Sequence, residues 1–295
     1  MILFRLLPVI ALLGVGSVGS AQDRTFADAH VHLNDPDAWV AVAADAGVAF
    51  AVAMRGRSAS HETLAAAAER WPGAIVPFVS VSPEHREYRD YWERDDPTLA
   101  AVADSLLKTG VFAGIGEISA VHFPGAGFPE SDFDPDGRIM HALLDVAARH
   151  DVPVTLHVEW TRLRELESLL ADHRDVTVVW AHGGYTPLVM ARRLLERNPN
   201  LVYELSARTW ARHPRSPDYT ILRDGETVWP EWIALIEEWP ERFVVGSDAS
   251  LRSIDSDRTK LDGVGRFLDQ LPEAIRPLVA HGNLRRVLGR APDPP

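Results

Sequence analysis

Eight short apolar runs, each followed by a stretch with apolar residues at three- and four-residue intervals, predict an α/β protein built as a (β/α)8 TIM barrel. The chain has 295 residues, 46% of them hydrophobic, which suits one large barrel or two ordinary domains. No repeat, low-complexity tract or linker divides it, so a single domain is expected over 22–295. A doubly wound sheet shares the local pattern, and the arrangement of ionisable residues described below favours the barrel.

The strand candidates are 26–30, 48–54, 75–80, 113–118, 152–158, 176–181, 201–205 and 243–246. Each is a run of β-branched, aromatic and small apolar residues of the kind a strand buried on both faces requires. Between them lie "DPDAWVAVAADAG", "HETLAAAAERW", "PTLAAVADSLLKTG", "DGRIMHALLDVAARHD", "RLRELESLLADH", "TPLVMARRLLERN" and "WPEWIALIEEW". Several of these begin near Asp, Thr or Pro and end at Gly or Asn, the residues that start and stop helices. Two connections exceed the usual few residues, one after the fourth strand (119–135) and one after the seventh (206–225). In a barrel both rise at the C-terminal face, where substrate walls are built.

Residues 1–21 read as a secretory signal: Arg5 precedes an apolar stretch, and Gly19-Ser20-Ala21 supplies small residues before a junction at Ala21–Gln22. The mature protein is expected to be secreted or periplasmic, without stable membrane insertion after cleavage, an uncleaved anchor being the alternative. There is no cysteine, so disulfides are excluded and any metal is held by His and carboxylates. The formal net charge is −12, and no Lys/Arg-rich run appears. A nucleic-acid partner, which needs a basic face, is therefore not expected. A small-molecule substrate is expected instead, and self-association is left open.

Ionisable residues close five of the apolar runs. His30 and His32 stand in "TFADAHVHLND", and alternate residues of a strand share a face. Glu117 ends the fourth strand, His157 the fifth, His182 the sixth and Asp248 the eighth. Parallel strands in a barrel bring these ends to one mouth. Four His and two carboxylates supply the nitrogen and oxygen donors that Zn²⁺ or a similar divalent ion takes. Burying such groups unpaired costs several kcal/mol, which argues against their standing there by accident.

With "DAHVH", His157, "WAHGG", "GSD" and the terminal "HGNLRRVLG" in this order, the chain resembles the amidohydrolase superfamily and its amidohydrolase-related family. "GIGEIS" and "YELSAR" resemble exported members of that family. Glu117 stands where many binuclear members carry a carboxylated Lys, as in TatD-like hydrolases. The chain continues Ser119-Ala120-Val121-His122, however, and not with the TatD-like Gly-Leu-Asp, which argues against TatD-type nuclease action.

The resemblance implies that His30, His32 and Asp248 bind one metal, His157 and His182 a second, and Glu117 bridges them. A metal-activated hydroxide would then cleave an amide, ester, lactone or phosphoester, with Asp248 and Glu117 as catalytic carboxylates and one or two divalent ions, Zn²⁺ first among them, as cofactor. Two alternatives remain. One is a mononuclear decarboxylase of the same family, held by His30, His32, His157 and Asp248. The other is a secreted barrel that binds metal or ligand without turnover.

For substrate binding, Arg208 just past the seventh strand is expected to clamp a carboxylate or phosphate, with Arg212, His213 and Arg215 behind it. Trp160, Trp210, His122 and Phe123 are candidates for apolar pocket walls, and Met54 for plain barrel packing.

Overall fold

The computed structural model describes residues 25–123, 130–210, 220–250 and 253–289. The signal expected at 1–21, with its cleavage junction, and the loop residues Arg212, His213 and Arg215 lie outside them. Among the described residues the elements run β1 (Phe26–Leu33), α1 (Pro36–Asp45), β2 (Val48–Arg55), α2 (His61–Arg70), β3 (Ile75–Pro77), α3 (Arg89–Glu93), α4 (Ala100–Leu107) and β4 (Ile115–His122). They continue with β5 (Ser131–Asp132), α5 (Arg138–His150), β6 (Val154–Val158), α6 (Leu163–Asp172), β7 (Val178–Trp180), α7 (Leu188–Arg197) and β8 (Leu201–Glu204). The last are α8 (Pro230–Glu238), β9 (Phe243–Val244), α9 (Ile254–Asp269) and α10 (Asn283–Leu288). All eight expected strands are present. β5 is an addition, pairing antiparallel with the end of β4, so the expected fifth to eighth strands are β6 to β9.

Local chemistry sets the helix starts. Asp35 caps α1 by accepting from Ala38 N, with Pro36 in the first turn. Ser60 and Thr63 form a reciprocal capping box on α2. α5 stops where Asp151 takes a left-handed conformation.

The parallel ladders run β1-β2-β3 and β4-β6-β7-β8-β9. Regular pairing is interrupted at two seams, each spanned by a single parallel bridge: Val79 with Ile115, and Val31 with Ala249. At the second seam Ala29 N donates to Val245 O, His32 N to Ala249 O and Asp248 N to His30 O. The strands therefore ring an α/β barrel whose ladder is not continuous.

Alternation along the strands divides the core in two. Ala27, Ala29, Phe50, Val52, Met54, Phe78, Val179, Val202 and Val244 form an inner cluster, which Leu284 and Leu288 of α10 join beside residues near the strand starts. Met54 is thus barrel packing, as expected. Phe26, Val31, Leu33, Ile115, Leu156, Val178 and Tyr203 belong to the larger cluster with the helices. Burial of this apolar surface holds the strand ends in fixed relation, and the site depends on that.

Candidate metal centre

The strand ends bring the six residues together. His30 and His32 on β1 place their Nε2 atoms 3.2 Å apart, near a register shift between Asp28 and Val31. Glu117 on β4 stands between two groups of imidazoles. Its Oε2 lies 3.3 Å from His30 Nε2 and 3.1 Å from His32 Nε2. Its Oε1 lies 2.9 Å from His157 Nδ1 on β6 and 3.5 Å from His182 Nε2 just after β7. Asp248, beyond β9, places Oδ1 3.6 Å from His32 Nε2 and 3.9 Å from His30 Nε2.

Each imidazole is tied at the nitrogen that faces away. His30 Nδ1 lies 3.3 Å from Glu204 Oε2 on β8. His32 Nδ1 lies 3.4 Å from Arg55 O, and His157 Nε2 3.4 Å from Glu159 Oε1. His182 Nδ1 lies 2.8 Å from Ser206 Oγ and 3.2 Å from Ser206 O. An imidazole that donates its outer N–H to such an acceptor keeps the inner nitrogen's lone pair free for an ion, and its ring cannot turn. The donor set therefore fits a divalent cation: four oriented nitrogens, a carboxylate with one oxygen toward each pair, and a further carboxylate on one side.

Glu204 organises much of this. It is fully buried, accepts from His182 N at 3.0 Å and from Ser206 Oγ at 2.7 Å, and reaches His30. Glu159, also fully buried, joins His157 to His122, whose Nδ1 is 2.7 Å away. Asp28 accepts from His30 N at 3.0 Å and from Ser247 N at 2.8 Å, tying β1 to the exit of β9. None of these three carboxylates is among the residues expected at the site from the sequence. Their one signal is an acid inside or just after an apolar strand.

Electrostatics follow from this packing. Burial opposes charge on His30 and His32, yet the Glu117 carboxylate raises both above the ordinary imidazole value. At His157 burial is again outweighed, here by hydrogen bonding to Glu117, and its value rises to about 9. For His182 burial prevails and lowers it. Burial would raise the carboxyls; instead His30 holds Glu117, and Lys260 holds Asp248, well below the usual range.

The turn after β7 is unusual. His182, Gly183, Gly184 and Tyr185 all have positive φ. The Tyr185 ring stacks on His182 with centroids 5.2 Å apart and 8° between planes. A Cβ on Gly183 would lie 1.7 Å from the Tyr203 ring and one on Gly184 2.3 Å from Val158 O, so glycine is required at both.

Arg208 does not take the place expected of a substrate clamp. It is 2% exposed. Its guanidinium donates to Tyr203 Oη at 2.7 Å, to Thr186 O at 3.0 Å and to His182 O at 3.2 Å, and lies over the Trp232 ring. The cause is packing: the chain after β8 is buried through Arg208, so this Arg braces the His182 turn and does not face a substrate. Of the expected pocket walls, Phe123 and the exposed Trp160 meet edge to face, with centroids 6.5 Å apart. His122 is engaged by Glu159, and Trp210 packs with Tyr185 and Ala207.

The fold and site define a barrel protein with a His and carboxylate cluster at its C-terminal mouth. The family profile described as Amidohydrolase matches residues 16–290, and the chain belongs to the amidohydrolase-related family. Comparison with curated proteins finds no match. Among solved structures, an uncharacterised TIM-barrel protein of Bordetella bronchiseptica aligns over 86% of this chain and 82% of its own, with 18% identity and a TM-score of 0.61. 2,6-Dihydroxybenzoate decarboxylase from Rhizobium aligns over 87% and 89%, with 15% identity and a TM-score of 0.56. A probable 2-pyrone-4,6-dicarboxylic acid hydrolase of Acinetobacter baumannii aligns over 90% and 99%, with 12% identity and a TM-score of 0.53. At these identities the likeness establishes the barrel fold, and the neighbours include both decarboxylases and hydrolases.

Proposed function

We propose that the protein is a metal-dependent hydrolase acting on an amide, ester, lactone or phosphoester of a small molecule. His30, His32 and Asp248 would hold one divalent ion and His157 and His182 a second, with Glu117 placed to serve both. The observation that carries this reading is the Glu117 carboxylate, with one oxygen beside His30 and His32 and the other beside His157 and His182. A residue serving one ion needs no such division.

When bound, such ions, Zn²⁺ first among them, lower the pKa of water and polarise a substrate oxygen. The chain's own residues do the rest. Glu204, Ser206, Glu159 and the Arg55 carbonyl fix the imidazole planes, so that the donors are in place before substrate arrives. Asp248 is 19% exposed on its side chain, the most open of the inner carboxylates. It accepts the proton of the attacking water and returns it to the leaving group. The exposed Trp160 with Phe123 offers an apolar surface for the substrate's remainder. Work outside the cytoplasm, with no nucleic-acid partner, is part of the proposal and rests on the leader and the acidic charge.

Elemental analysis of the full chain tests this, paired with ester, lactone, amide and phosphoester panels before and after chelation. Two ions per chain with chelator-sensitive hydrolysis is the expected result. One ion per chain with carbon dioxide release from an aromatic acid would instead make it a decarboxylase, the activity named for the Rhizobium neighbour. Metal uptake with no turnover on either set would make it a binding barrel.

A further inference from the structure

A carboxylate outside this set stands beside the centre. Glu84 lies on the loop after β3, and one of its oxygens, one of Glu117 and a ring nitrogen of His32 all fall within 4.8 Å of one another. The loop is built to hold it there. Val81, Ser82, Pro83 and His85 are buried and Glu84 alone of this run is exposed. His85 N donates to Ser82 O at 3.1 Å, closing a β-turn with Pro83 second and Glu84 third. Ser82 Oγ accepts from Ser119 N at 3.0 Å, two residues beyond Glu117, and Trp92 Nε1 donates to Val81 O at 2.8 Å. The turn is thus pinned to the strand that carries Glu117, with its third residue at the barrel mouth.

The charged neighbours of Glu84 are His32 and Glu117, with His157 and Arg57 farther out. Two carboxylates this close repel each other, and without an ion the His32 ring beside them offsets that repulsion. A divalent ion between the two converts that repulsion into two bonds. Donors about 2.1 Å from one ion are at most about 4.2 Å apart, so a shift of a few tenths of an ångström, open to an exposed side chain, brings Glu84, Glu117 and His32 within reach of one ion.

We propose that Glu84 is a further metal ligand, supplying a third carboxylate to the subsite of His30, His32, Asp248 and Glu117. This rests on the metal-centre reading above. Five donors, three of them carboxylates, suit a five- or six-coordinate ion such as Mn²⁺ better than tetrahedral Zn²⁺.

The test is titration of chelator-stripped full chain with MnCl₂, followed by calorimetry and by the Mn²⁺ EPR spectrum, for wild type, Glu84→Gln, Glu84→Ala and His32→Asn. The expected result is two ions in wild type, with the affinity of one lowered at least tenfold and its EPR signal changed in both Glu84 variants. Metal-free thermal midpoints should match, since the side chain is exposed. Wild-type affinities and spectra in Glu84→Gln and Glu84→Ala would overturn the proposal, including the case in which Glu84 and Glu117 merely share a proton, which Gln mimics. If wild type takes up no ion, or His32→Asn binds like wild type, the metal-centre reading falls and the proposal with it.

Discussion

Asp248 leaves β9 with a positive φ of 53°, its backbone carbonyl accepting from Lys260 Nζ at 2.5 Å and its carboxylate turned to His30 and His32. Asp248→Asn keeps an oxygen for the ion but cannot take up a proton at neutral pH. Turnover at saturating metal should therefore fall on the order of 10²- to 10⁴-fold while metal occupancy changes little. Steady-state kinetics with parallel metal analysis checks this, and near-wild-type turnover would remove Asp248 from the proton transfer. Arg208 has a contrasting role. Arg208→Met strands three buried acceptors, the carbonyls of His182 and Thr186 and the Tyr203 hydroxyl. It should lower unfolding free energy by about 2–4 kcal/mol in a denaturant melt. A clamp on substrate would instead raise KM with stability unchanged.

Two elements carry consequences of their own. The left-handed turn after β7 exists because Gly183 and Gly184 leave room for Tyr203 and the Val158 carbonyl. Gly183→Ala adds a backbone penalty of about 1–2 kcal/mol and a clash with an aromatic ring. The expected result is weakened uptake of one of two ions, because His182 is displaced, together with a lower thermal midpoint. The seam between α2 and β3 sets a pH dependence. His61 Nε2 accepts from Ser80 N at 3.0 Å, and burial, helped by the Arg55 charge, pushes its value down to about 4. The folded value lies below the unfolded 6.5, so the unfolded chain takes up the proton first. This contribution is fully present above about pH 6.5 and is lost as pH falls toward 4. His85, pushed down to about 3 chiefly by burial, extends the loss to lower pH. Chemical denaturation of wild type and His61→Gln from pH 8 to 4 isolates this contribution from that of the raised site histidines: the variant keeps an acceptor without titrating there, so the stability difference between the two should shift against wild type as pH falls from about 6.5 toward 4.

For the whole molecule, the proposed function implies that ions held by residues from β1, β4, β6, the β7 turn and the β9 exit would bind the folded barrel and not the unfolded chain. At a free metal concentration a hundredfold above Kd the stabilisation is about 2.7 kcal/mol. Chelation should thus lower the thermal midpoint by about 5–10 °C for a chain of this size, and added metal should restore it. An unchanged midpoint in protein shown to be metal-loaded would mean that the ions sit at the surface and not at the barrel mouth. The interrupted ladder adds weight to this expectation. The second seam is held by few main-chain bonds and by Asp28, whose carboxyl burial pushes up to about 7 against its hydrogen bonds from Ser247 and His30.

The sequence by itself determined the alternation of strands and helices, because the period of apolar residues is a local property that packing reinforces. It also determined that six ionisable residues close strands, and parallel strands put such ends on one side of the molecule. The Asp that opens the first helical stretch, Asp35, was legible as a helix start for the same local reason. What only the tertiary structure decided are the partners. Glu204 meets His30 across 174 residues of chain, and no periodicity marks such a pair. Glu84 sits in an irregular loop whose course is set by Ser82 bonding to a different strand. Arg208 reads as a substrate clamp from its place just past a strand, yet the chain after β8 buries it against Tyr203 and Trp232. Local pattern specifies which face of an element is apolar; the groups that meet across the mouth depend on how all the strand ends and loops pack at once.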